Sequence, residues 1–168
     1  TFSGIGVHSG LQSSVTIHPA PENTGIIFVA SQDLQQRIKV GSTVPVDAMH
    51  ATVLKRDGWV VSTVEHLLAA LVILGIDNAL LEVSGIEIPI LDGSALPFMQ
   101  GVIDIGSENQ CVAKQFLTPK QTLTFTDAQG RSLAIEPSIG QALVLDVSYA
   151  TTFAHPLAGK NEWVGRVT

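Results

Sequence analysis

A chain of 168 residues has room for one domain with a full core, or for one domain plus part of a second, but not for two complete domains of ordinary size. Apolar residues at 45% against 14% charged exclude a disordered chain, and 9 Lys and Arg residues under a net charge of -6 exclude a broad nucleic-acid-binding face. The single cysteine, Cys111, excludes an internal disulfide and a thiolate metal cluster, which fits a reducing compartment and makes the cytoplasm the default location.

The chain opens with no basic segment followed by an apolar run, so no secretion signal is expected, although Thr1 is not a natural start. Gly4-Ile5-Gly6-Val7-His8-Ser9-Gly10 places three glycines around a histidine, which permits tight turns and close approach of a ligand or a strand. No strand–turn–helix pattern follows it, so it is not a dinucleotide fingerprint. His8 is a candidate substrate contact, or equally a surface residue of a loop between strands. Val15 to Pro19 and Gly25 to Ala30 read as strands, and the Pro- and Asn-containing stretch between them predicts a hairpin. Ala51 to Leu54 and Trp59 to Ser62 predict a second hairpin around Arg56-Asp57-Gly58.

Thr63 to Leu74 carries Val64, Leu67, Leu68, Leu71 and Leu74 at helical spacing, with Gly75 placed to end the helix. Its apolar run, Leu67 to Ile76, is about half the length that a bilayer requires and predicts a buried helix, not a membrane span. Asn78 to Val83 reads as a strand, Ile86 to Ile90 as its short continuation, and Asp92-Gly93-Ser94 as a turn into a helix over Ala95 to Ile105, with Pro97 in the first turn. Beyond a polar stretch at Ser107 to Gln110, strands are predicted at Val112 to Leu117, Gln121 to Thr126, Ser132 to Glu136 and Gln141 to Ser148. Val15-Thr16-Ile17-His18-Pro19-Ala20 and Leu133-Ala134-Ile135-Glu136-Pro137-Ser138 are similar, and both end a strand at X-Pro, as a duplicated unit would. His18 and His155 precede prolines and read as extended strand ends.

Glu65-His66 falls in the first turn of the strongest helix, where outward N–H groups favour an anion. A carboxylate beside a histidine there can act as general base and metal ligand. The same residues fit a capping box, Ser62-Thr63-Val64-Glu65, and His66 can equally be a half-buried structural histidine. Asp92 is a turn residue by type, and can also orient an imidazole.

Three strings, Gly4-Ile5-Gly6-Val7-His8-Ser9-Gly10, Ser62-Thr63-Val64-Glu65-His66-Leu67-Leu68-Ala69-Ala70-Leu71 and Glu87-Ile88-Pro89-Ile90-Leu91-Asp92-Gly93-Ser94-Ala95, with Gly75-Ile76-Asp77-Asn78 between the last two, together resemble the UDP-3-O-acyl-N-acetylglucosamine deacetylases of lipid A synthesis. The resemblance runs from Thr1 to about residue 156. It implies an α+β fold in which each of two domains is a β-sheet layered with helices. The first would occupy residues 1–110, and 111–168 would be the strands of an incomplete second domain. It also implies zinc as cofactor, with His66 as one of three ligands and Glu65 as the general base that activates water against the N-acetyl carbonyl. Met49, His50 and Asp92 fall where the family lines or supports the metal site, Arg131 where a basic residue binds the diphosphate, and Phe153 where an aromatic stacks on uracil, with Tyr149 competing for that role. The family's remaining histidine and aspartate ligands, its catalytic histidine and its acyl-chain passage lie beyond Thr168, so this stretch is expected not to complete the site or to be active alone. The alternatives are a shortened, non-catalytic member that binds a UDP-sugar or a protein partner, and an unrelated binding domain.

Overall fold

The computed structural model describes residues 1–42, 50–114, 116–137, 145–152, 157 and 159–167. The chain divides into two compact units, Thr1–Val112 and Ala113–Thr168. In the first unit the elements run β1 (Phe2–Ile5), β2 (Gln12–Pro19), β3 (Ile26–Ala30), β4 (Asp33–Lys39), β5 (Val53–Arg56), β6 (Trp59–Ser62), α1 (Glu65–Ile73), β7 (Ala79–Ser84) and α2 (Leu96–Ile105). The content is α+β, as expected.

Five strands form one sheet in the order β1-β2-β7-β3-β4. β7 lies antiparallel to β2 and parallel to β3. A parallel pair requires a long crossover, and the chain between β3 and β7 supplies it through β4, the β5–β6 hairpin and α1. Alternation along the strands sends Val15, Phe28, Leu81 and Val83 to one face, where they join Leu67, Ala70 and Leu71 of α1, Phe98 of α2, and Leu54 and Val61 of the hairpin in a single buried cluster. Burying each of the larger side chains contributes about 1.5–3 kcal/mol, so this layer of helices on sheet is the main source of stability. Phe2 meets Phe98 edge-on at 5.0 Å between ring centroids. Gly101 in α2 makes room for that contact, since a Cβ there would stand 2.5 Å from Phe2 Cζ.

The predicted pairing of residues 15–19 with 25–30 does not occur: both strands exist, but β7 lies between them. Asn78 explains the insertion, because its Oδ1 accepts the Gly25 N–H at 2.8 Å and the next residue, Ala79, donates to the Gly25 carbonyl at 3.2 Å. The start of β7 is thereby anchored at the start of β3. The second hairpin forms as expected, with Arg56 opposite Trp59 and both turn residues left-handed, Asp57 at φ 48° and Gly58 at φ 84°. Helix α1 ends in a Schellman arrangement: Gly75 at φ 69° donates to Val72 O, and Ile76 donates to Leu71 O.

Among its described residues the second unit has two antiparallel strand pairs, β8 (Leu123–Thr126) with β9 (Ser132–Ile135), and β10 (Leu145–Thr152) with β11 (Lys160–Val167). Every side chain of β8 and β9 is exposed. The strand expected over Val112 to Leu117 is absent among the described residues of that span. Its run is interrupted by Lys114, whose Nζ lies over the Phe116 ring at 5.7 Å, and Val112, Phe116 and Leu117 are exposed with no strand partner to order them. No described helix is long and apolar enough to cross a membrane.

Candidate active site

The first turn of α1 begins at Glu65, with Val64 in the N-cap position and no side chain capping the helix. The capping box predicted from Ser62 and Glu65 is therefore not formed. It requires the glutamate three residues inside the helix, whereas the helix here starts at the glutamate itself. Ser62 Oγ instead donates to Ile86 O at 3.2 Å, and Glu65 Oε2 accepts the Thr52 N–H at 3.1 Å. This bond ties the helix start to the segment that carries His50, an exposed residue at φ 65° two positions before Thr52. Both Glu65 and His66 are partly exposed.

The chain reaches α1 through Thr63, which is 2% exposed and held at φ 57°. A β-branched residue in the left-handed region is strained, by about 1–3 kcal/mol. Thr63 Oγ1 donates to Glu87 Oε1 at 2.9 Å, a buried bond to a buried carboxylate. The same carboxylate accepts the backbone N–H groups of His8, at 3.0 Å to Oε1, and Ser9, at 2.8 Å to Oε2. Gly6 lies against it, since a Cβ there would meet Glu87 Oε2 at 2.2 Å. The Glu87 carbonyl accepts the Ser13 hydroxyl.

Glu87 is 1% exposed, and burial, the largest single influence on it, works to raise its pKa. The Ser9 side chain, the His8 and Ser9 backbone groups and the Thr63 hydroxyl together outweigh burial and lower the pKa from 4.5 to about 2. The residue is thus an ionised carboxylate inside the fold, satisfied by charge-assisted hydrogen bonds.

One side chain from the third sequence string therefore binds residues of the first and second. His8 stands exposed on the docked loop, whose turn is closed by Gly10 N to Gly6 O at 2.9 Å. Asp92 is exposed, and its Oδ1 accepts both the backbone N–H and the hydroxyl of Ser94 at 2.9 Å, which hold its pKa below the ordinary carboxylate value. Ser94 Oγ in turn accepts the Leu96 N–H at 3.1 Å, so Asp92 organises the entry to α2. In the second unit, Arg131 lies in the β8–β9 turn with its guanidinium on Asp127 and on Gln129 Oε1. Tyr149, opposite Trp163 in the β10–β11 pair, is exposed. Met49, Phe153 and His155 lie outside the described residues.

Sequence reasoning missed Glu87 and Thr63. The available signal was a charge set between Ile86 and Ile88 in an otherwise apolar run, a place where a carboxylate has to find buried donors.

A family model described as UDP-3-O-acyl N-acetylglycosamine deacetylase, LpxC, matches residues 1–168. The chain belongs to this family. Among curated LpxC relatives, a UDP-3-O-acyl-N-acetylglucosamine deacetylase from Syntrophotalea carbinolica is 37% identical over 161 residues, covering 95% of this chain and 50% of the relative. That from Haemophilus ducreyi is 39% identical over 168 residues, covering 96% of this chain and 52% of the relative. A bifunctional LpxC/FabZ enzyme from Bacteroides thetaiotaomicron is 40% identical, covering 90% of this chain and 33% of the relative. The chain thus spans about half the length of the LpxC deacetylases it matches.

The zinc that LpxC resemblance implies can be tested against the donors present. His66 offers an imidazole, a normal zinc donor, from a partly exposed helical turn. Among the described residues no three His, Cys, Asp or Glu side chains converge. His66 therefore fits as one donor of a set that needs others from outside them.

Proposed function

We propose that this chain carries part of the active site of a zinc-dependent deacetylase that removes the N-acetyl group of UDP-3-O-acyl-N-acetylglucosamine in lipid A biosynthesis, in the cytoplasm. The observation that carries the reading is the placement of Glu65 and His66 side by side in the first turn of α1, with Glu65 directed to the Thr52 N–H and not to a helix cap. In this reading His66 is one metal donor, and Glu65 is the general base that takes a proton from the attacking water and returns it to the departing amine. Zinc, when bound, supplies Lewis acidity toward the water and the acetamide carbonyl. Acetate and a free amine are the products.

The remaining assignments are proposals of the same standing. His8, His50, Met49 and Asp92 line or support the site, Arg131 contacts the diphosphate and Phe153 stacks on the uracil. Residues 1–110 form the first domain, and 111–168 the strands of a second whose remaining part supplies the other ligands. This chain alone is then inactive. The experiment is a deacetylation assay with zinc analysis on the full-length protein and on its Glu65→Ala variant, with acetate release followed.

A further inference from the structure

A buried, ionised carboxylate is costly to maintain, and a fold that needed only packing at position 87 would place an apolar side chain there. Glu87 instead collects donors from two places distant in sequence. The His8 and Ser9 N–H groups come from the Gly6–Gly10 loop, and the Thr63 hydroxyl from the residue two positions before Glu65. Both contacts leave reactive side chains on the outside: His8 is exposed on the loop, and Glu65 and His66 are partly exposed on α1. The loop joins β1 to β2 and is closed on itself by Gly6 N to Leu11 O at 3.0 Å and Gly10 N to Gly6 O at 2.9 Å, so what Glu87 adds is its attachment to the Thr63 turn. The loop's apolar members, Val7 and Leu11, are 55% and 59% exposed, so hydrophobic burial does not fix it. Gly6 lies so close to the carboxylate that no side chain fits between them.

We propose that Glu87 is a positioning residue of the active site, a buried clasp that holds the Gly6–Gly10 loop, and with it His8, at the N-terminal end of α1 beside Glu65 and His66. Glu87 touches no substrate; it acts through His8, which it presents to the sugar nucleotide. The kinetic part of this inference rests on the proposed deacetylase activity, whereas the docking part does not.

The test uses the full-length protein as wild type, Glu87→Gln, His8→Ala and the double variant. Glutamine keeps the shape but replaces one acceptor oxygen with an NH2 group, which cannot accept from the loop N–H groups or Thr63. In hydrogen exchange, Glu87→Gln is expected to lose protection over residues 6–11 while residues 65–73 and 79–84 keep theirs. In kinetics, Glu87→Gln and His8→Ala each raise KM, on the order of 10-fold, with a smaller effect on kcat, and the double variant is no worse than the worse single. Wild-type protection of the loop in Glu87→Gln, or single effects that multiply in the double variant, would overturn the proposal. Should Glu87→Gln not accumulate as folded protein, Glu87→Asp keeps the charge but withdraws the carboxylate by one methylene from the His8 and Ser9 N–H groups, and wild-type loop protection there overturns the proposal equally. An inert wild-type protein would sink the deacetylase reading, while the exchange measurement still decides the clasp.

Discussion

The backbone N–H of Thr52 donates to Glu65 Oε2 at 3.1 Å, so the carboxylate proposed as general base is oriented by a residue outside its own helix. A base needs a fixed direction as well as a suitable pKa, and a single backbone donor fixes one oxygen while the other remains available. Glu65→Ala in the full-length protein should therefore lower kcat by a factor on the order of 10²–10⁴. The loss of one hydrogen bond at a partly exposed site should cost only about 1 kcal/mol of stability. Steady-state kinetics beside thermal melts separate the two effects.

Thr63 makes a less intuitive prediction. At φ 57° its side chain is strained, and its hydroxyl holds Glu87 at 2.9 Å. Thr63→Val keeps the strain and removes the bond to a charged partner, at a cost of about 1.5–3 kcal/mol. Thr63→Gly also removes the bond but relieves the strain, so the smaller residue should be the less destabilising of the two. Urea midpoints of the two variants check the order.

The low pKa of Glu87 links stability to pH. The folded value of about 2 lies below the ordinary 4.5, so the folded state binds its proton more weakly than the unfolded state does. Its stabilisation, about 3 kcal/mol, is fully present above the unfolded pKa and disappears as pH falls through the folded one. Glu87→Gln should therefore be less stable than wild type at neutral pH, with the gap closing as pH drops from about 5 toward 2. Denaturation midpoints measured across that window give the slope, and parallel curves would count against the account.

Glycine to alanine in a helix interior ordinarily stabilises, by about 1 kcal/mol. At Gly101 the opposite is expected, because the new Cβ would stand 2.5 Å from Phe2 Cζ and the Phe2 ring is set edge-on against Phe98. Gly101→Ala should lower stability, by about 1–3 kcal/mol, and Gly101→Ala with Phe2→Leu should recover part of it. Thermal melts of the two variants decide this.

Legibility in the sequence followed the range of the interaction. Helix α1, helix α2 and the β5–β6 hairpin were readable because their signals are local: apolar spacing from Val64 to Leu74, Pro97 at a helix start, and Asp57-Gly58 at a two-residue turn. The neighbour of β2 was not readable, because β7 reaches its place through Asn78 and Gly25, which are 53 residues apart. Edge strand β4 escaped notice because Gln35, Gln36 and Arg37 give it a polar surface. Within the site, Glu65 and His66 were visible through family resemblance. The capping box was a sound local expectation that failed because the helix begins at Glu65 itself. Glu87 was invisible as a functional residue, since its donors lie 79, 78 and 24 positions away.

The most direct test of the account is zinc content and acetate release from UDP-3-O-acyl-N-acetylglucosamine, measured together on the full-length protein, on its Glu65→Ala variant and on the 168-residue chain alone. The account predicts zinc in the first two, turnover in the full-length protein only, and neither property in the short chain. A full-length protein that holds zinc but releases no acetate, or a Glu65→Ala variant that turns over as fast as wild type, would contradict it.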